Sequence, residues 1–141
     1  MTYSRLLAMA GLALMALSGP AFADAMMFKA DMKGASEVPA TDSSGSGNAM
    51  VTLDTATKKL AWKITYDGLT GDPTAAHFHG PAAPGANAGP VVDISANLAE
   101  GTADLTDAQI ADLQAGKWYV NIHTAKFPDG EIRGQVEAAK Q

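Results

Sequence analysis

Three histidines are the side chains best suited to chemistry in this 141-residue chain. They fall in two short stretches, Ala76-His77-Phe78-His79 and Asn121-Ile122-His123. Neutral imidazole ligates zinc, copper, iron and nickel. On a strand, His77 and His79 point to one face while Phe78 points to the other. Two ligands then come from one strand, and His123 on a distant strand supplies a third. The plain alternative is three unrelated surface histidines. The chain has no cysteine, which removes disulfides, Cys-zinc sites, iron–sulfur clusters, a thiol nucleophile and a blue-copper thiolate. No Gly-x-Ser-x-Gly elbow is present, so a hydrolase of that kind has no support. Asp104, Asp107 and Asp112 lack the spacing of a calcium loop.

The elements that must hold these histidines read mostly as strands. Residues 26–32, 48–53 and 60–66 alternate apolar and polar side chains, as half-buried strands do. The second and third are joined by Asp54-Thr55-Ala56-Thr57-Lys58, where Asp54 can accept from its own downstream backbone. Residues 75–80 and 91–95 read as short strands, separated by a Pro-, Gly- and Ala-rich loop. Thr106 reads as a helix N-cap, Asp107 favours the positive end of the dipole, and Gly116 fits the C-terminal cap. Trp118, Val120 and Ile122 alternate with Tyr119, Asn121 and His123, and after the Pro128-Asp129-Gly130 turn a last strand carries Ile132 and Val136. Trp62 and Trp118 sit in the apolar rows and read as core. Short strands with frequent turns predict a β-sandwich or barrel with one short helix on a connection.

The last hairpin allows a register to be set. Cross-strand partners share a face, and pairing Ile122 with Ile132 also pairs Trp118 with Val136 and Asn121 with Arg133. The same register places Glu131 opposite His123, as a ligand or as an orienting acceptor.

The first 23 residues read as a secretory signal peptide. Arg5 is the positive n-region, residues 6–17 form an apolar run, and Ala21-Phe22-Ala23 is a cleavage site. Twelve apolar residues are too few for a spanning helix, which needs about 20. The expected mature chain is residues 24–141, one domain, periplasmic or secreted and off the membrane. A hydrophobic fraction of 47% and a charged fraction of 18% are globular values. The net charge of -5 with no basic block excludes an electrostatic nucleic-acid binder.

Four segments together resemble one family. They are Gly34-Ala35-Ser36-Glu37-Val38-Pro39, Thr74-Ala75-Ala76-His77-Phe78-His79-Gly80-Pro81-Ala82, Trp118-Tyr119-Val120-Asn121-Ile122-His123-Thr124 and Gly130-Glu131-Ile132-Arg133-Gly134-Gln135. They resemble the CHRD domain, which also occurs as a stand-alone secreted bacterial protein. Ala40 stands where the family often has a second proline. The resemblance implies an immunoglobulin-like β-sandwich, similar in outline to copper/zinc superoxide dismutase. It implies copper as the ion and His77, His79 and His123 as ligands.

On that reading the protein handles or sequesters copper, with Glu131 as a fourth ligand or an acceptor behind one. Met26, Met27 and Met32 lie near the expected mature N-terminus, and thioethers favour Cu(I). Met32 reads as core filling, while Met26 and Met27 are the candidates for ligation. Two other functions compete. One is a metal-free structural or protein-binding module that uses the loop of residues 81–90 as a contact surface. The other is a superoxide dismutase-like copper enzyme with Arg133 holding an anion, for which three histidines are too few.

Overall fold

A computed structural model describes residues 24–140; the expected signal peptide lies outside the described residues. Among the described residues there are eight strands and one α-helix. The strands are β1 (Ala25–Lys33), β2 (Ser46–Asp54), β3 (Lys59–Asp67), β4 (Pro73–His79), β5 (Pro90–Asp93), β6 (Glu100–Asp104), β7 (Trp118–Thr124) and β8 (Ile132–Ala138). Helix α1 (Asp107–Gln114) lies on the β6–β7 connection.

Alternation drives the pairing. Phe28, Ala30 and Met32 of β1, Ala49, Val51 and Leu53 of β2, and Leu60, Trp62 and Ile64 of β3 are all buried. The registers put like with like, Phe28 beside Val51 and Val51 beside Trp62. The β2–β3 turn closes as expected: Asp54 Oδ1 accepts from the Ala56 and Thr57 amides at 2.9 and 3.1 Å. The helix starts with a reciprocal cap. Thr106 Oγ1 accepts from the Gln109 amide, and Gln109 Oε1 accepts from the Thr106 amide.

All strand pairs are antiparallel and belong to one sheet of order β5-β4-β7-β8-β1-β2-β3-β6. The sheet folds over on itself into a nearly closed, barrel-like sandwich. Phe78 of β4 thereby reaches Trp62 of β3 with ring centroids 5.9 Å apart, and it also packs on Trp118 at 5.8 Å. The all-β sandwich expectation holds. β6 carries too little alternation to be read in advance. It forms because β3 offers an open edge, and it is steadied by Lys59 against Asp104 (3.1 Å) and by Gly101 facing the Trp62 indole.

The sheet turns its corner where β8 meets β1. Only Phe28–Ala138, Lys29–Glu137 and Lys33–Arg133 are paired there. Between them Gly134 lies directly under the Asp31 backbone, and a Cβ at 134 would collide with the Asp31 carbonyl group. We expect Gly134→Ala to destabilise the fold by about 1–3 kcal/mol, as overpacking against rigid backbone does. The urea midpoint of the variant against wild type checks this, and an unchanged midpoint would refute the tight corner.

Candidate metal centre

The outward face of β4 and β7 carries the three histidines. The β4–β7 ladder sets Ala75 opposite His123, His77 opposite Asn121 and His79 opposite Tyr119. Small Ala75 leaves room beside His123, so its ring can lean toward His77. One ligand atom from each of His77, His79 and His123 lies within 4.8 Å of the others. The sequence expectation that these three converge is met in the geometry.

The outer nitrogens of two of the rings are held by backbone oxygen. His79 Nδ1 stands 2.9 Å from the Ala88 carbonyl and His123 Nδ1 stands 2.8 Å from the Pro128 carbonyl. A carbonyl can only accept, so both Nδ1 atoms carry the proton and both Nε2 atoms keep a lone pair. His77 Nε2 faces Asp93 Oδ1 at 3.9 Å, which leaves Nδ1 as the inner atom. That atom is 3.3 Å from His123 Nε2. The two Nε2 atoms meet Asn121 Oδ1 at 2.9 Å for His79 and 3.0 Å for His123. The Nε2 lone pairs of His79 and His123 thus converge on the Asn121 oxygen, and His77 Nδ1 stands beside them.

Protonation is a poor remedy here. Burial lowers the pKa of His77, helped by nearby His123 and opposed by Asp93. Burial also lowers that of His79, against the hydrogen bonds to Ala88 and Asn121. Neutral imidazoles with inward lone pairs are what a transition metal requires. The 3.3 Å between His77 Nδ1 and His123 Nε2 fits donors on one ion, while the full spread of the cluster, up to 4.8 Å, requires the rings to draw in. Donors 2.0–2.1 Å from one ion stand about 2.9 Å apart at right angles and about 3.4 Å apart at tetrahedral angles.

A wall encloses the inner side. The Tyr119 ring stacks on His79 at 4.6 Å and 2°, and Arg133 lies 3.4 Å over the Tyr119 ring. Arg133 donates to Asn87 Oδ1 and to the Ala86 carbonyl, and Tyr119 donates to the Ala88 carbonyl. The loop of residues 81–90 is therefore held down over the site. Arg133 is 2% exposed, so it is not placed to steer an anion. A cleft of about 370 Å³ opens beside His79, lined also by Glu37, Pro39, Asn87, Asn121 and Asp129. Burial pushes the Glu37 carboxyl up to about 7, although Arg133 and Asn121 both pull it down.

Glu131 is not part of this cluster. Its amide donates to the Ile122 carbonyl at 2.7 Å, while Ile132 is the ladder partner of Ile122. β8 begins at Ile132, so the ladder ends before Glu131 and nothing holds its side chain on the face of His123. The carboxylate is fully buried there, accepting from Ser43 Oγ, from the amide and hydroxyl of Thr70, and from Thr124 Oγ1. The methionines are elsewhere too. Met32 is core, Met26 Sδ accepts from Gln114 Nε2 at 3.2 Å, and Met27 is 40% exposed beside Met50. Reading the sequence missed Asn121. It shares a face with His123, but its place opposite His77 depends on the β4–β7 register, which no sequence signal sets.

The CHRD domain family profile matches residues 28–136, from β1 to β8, and the chain belongs to that family. Among curated proteins and solved structures, none matches this chain.

The placement of Glu131 makes a prediction. Burial alone would raise its pKa, but the hydrogen bonds from Thr70, Thr124 and Ser43 outweigh burial and lower it. A carboxylate with a depressed pKa stabilises the fold above its unfolded pKa and loses that contribution as pH falls. Glu131→Gln should cost about 2 kcal/mol near neutral pH, the scale of charge-assisted hydrogen bonds, and less in acid. Chemical denaturation at neutral and acidic pH reads both. Metal affinity should be unchanged, and a large loss in a folded variant would return Glu131 to the ligand set.

Proposed function

We propose that this CHRD domain binds copper in the periplasm or the secreted fraction, and that it handles or sequesters the ion through His77, His79 and His123. The observation that carries the reading is the convergence of three ring nitrogens, one from each histidine, within 4.8 Å. The outer nitrogens of His79 and His123 are fixed by the Ala88 and Pro128 carbonyls, and that of His77 faces Asp93. Copper is favoured over zinc for a nitrogen site by the general order of divalent affinities. The His77 side chain is 21% exposed, which leaves a path for an ion from solvent. Without cysteine the chain offers no thiolate to form a disulfide in an oxidising compartment. The apolar leader ahead of Ala21-Phe22-Ala23 supports export.

Titration of the metal-free protein with Cu(II) and Zn(II) tests the reading. One Cu(II) per chain is expected, with a tetragonal type-2 resonance and no intense blue band. His123→Ala should weaken binding more than roughly a hundredfold, above the range seen when only a supporting group is lost. The other two ligands share one strand and cannot close the site. Absence of stoichiometric binding would leave the metal-free module. In that case Asn121 turns its NH2 group inward and donates to both Nε2 atoms.

The pH dependence has a definite sign. His77 and His79 have lowered pKa values, so protons compete with the metal only below the ~6.5 of free imidazole. Affinity should be level above about pH 7 and fall in acidic buffer. Loss of affinity already at pH 7.5 would contradict the buried, neutral rings. For the export reading, the intact mass of the secreted protein should begin at Asp24. A mature protein that retains residues 6–17 and pellets with membranes would overturn it.

A further inference from the structure

We propose that Asn121 supplies its amide oxygen as a fourth donor to the ion, and that Glu37 is the positioning residue that keeps this oxygen turned inward. The inference rests on the copper-binding reading and deepens it, because it assigns the donor set as three nitrogens and one oxygen.

Asn121 is 3% exposed, so its oxygen needs a partner from within the protein. The neighbours within hydrogen-bond distance are His79 Nε2 and His123 Nε2. Both are acceptors, because each ring spends its proton on a backbone carbonyl. A buried amide oxygen facing two lone pairs is a costly arrangement unless a cation sits among them. The edges His79–Asn121, Asn121–His123 and His123–His77 measure 2.9, 3.0 and 3.3 Å. These lengths span the right-angle to tetrahedral range for donors 2.0–2.1 Å from one ion.

The amide orientation is set from the other side. Glu37 is 7% exposed and its Oε1 has no hydrogen-bond partner. Oε1 of Glu37 and Nδ2 of Asn121 both crowd the space above Gly130, which has φ 124° and no side chain to displace them. A carboxyl group beside an amide favours the NH2 end, and the oxygen is then turned to the histidines. If Asn121 were reversed, its oxygen would face the Glu37 carboxyl, acceptor against acceptor. Glu37 thus acts on the ion through Asn121. It belongs to the Gly34–Ser36 turn and its exit, far in sequence from either histidine strand.

The test uses Cu(II) and Zn(II) as probes on the full exported chain, with affinity from chelator competition and the donor set from electron paramagnetic resonance. Asn121→Leu should weaken Cu(II) binding roughly 10–100-fold and change the copper hyperfine coupling. Asn121→Asp keeps an oxygen in place and should restore wild-type affinity or better. Glu37→Gln should weaken binding roughly tenfold, and in the Asn121→Leu background it should have no further effect. That non-additivity separates positioning from a general structural role. Wild-type affinity and spectrum in Asn121→Leu would overturn the oxygen donor. A Glu37→Gln loss that persists undiminished beside Asn121→Leu would overturn the positioning role. If Asn121→Leu does not fold, Glu37→Gln decides alone, and an unaltered copper spectrum overturns the inference. Wild-type protein that takes up neither ion would refute the copper reading itself, a result distinct from all of these.

Discussion

The antiparallel ladder between β4 and β7 is the constraint on which the centre depends. It sets His77 against Asn121 and His79 against Tyr119, and it places His123 beside Ala75. Ladder hydrogen bonds cannot slide continuously. A one-residue slip would turn every side chain of the strand to the opposite face. Phe78, Val120 and Ile122 are fully buried on the inner face, so any slip would expose the core and bury the histidines among apolar groups. The energy that holds the imidazoles in place is therefore largely the packing of the side chains between them in sequence. The site is built on strands and inherits their rigidity.

Loops then complete what the strands begin. The Ala88 carbonyl comes from the loop of residues 81–90, Pro128 from the β7–β8 turn, and Asp93 from the end of β5. The two carbonyls each hold the outer nitrogen of one ring, and Asp93 faces that of His77 at 3.9 Å. For His79 and His123 the effect is to choose the tautomer, so both Nε2 atoms present lone pairs to the centre they share. Arg133 stabilises this frame as a brace, since it stacks on Tyr119 and donates to Asn87 and Ala86. Its charge also reaches the Glu37 carboxyl, whose pKa it lowers against burial.

Much of this was legible from alternation. The strands of residues 26–32, 48–53 and 60–66 fall inside β1, β2 and β3, and the Ile122–Ile132 pair is the observed one. Thr106 and Gly116 bracket the helix because capping is a local matter. What failed was non-local. β6 has almost no apolar pattern and exists because β3 has a free edge. Glu131 is expected opposite His123 on an unbroken ladder, but the ladder ends at the Ile122–Ile132 pair. The family resemblance picked out the two segments whose histidines converge. Neither resemblance nor periodicity distinguishes Asn121 from any other polar residue on its strand, because its importance comes from what lies across from it.

Two buried glutamates show how the fold separates structure from chemistry. Glu131 is surrounded by donors from Ser43, Thr70 and Thr124, so its charge is accommodated and its pKa falls. It ties together the segment before β2, the β3–β4 connection and the end of β7, and no polar contact joins it to the histidines. Glu37 receives no donor at Oε1, and burial raises its pKa to about 7. A carboxyl left so exposed to desolvation cost is a poor structural choice, yet it lies against the one amide that touches two imidazoles. Local rules are broken where a site needs a field or an orientation that packing alone does not provide. By that criterion the polar centre of this molecule extends past its histidines, through Asn121, to Glu37.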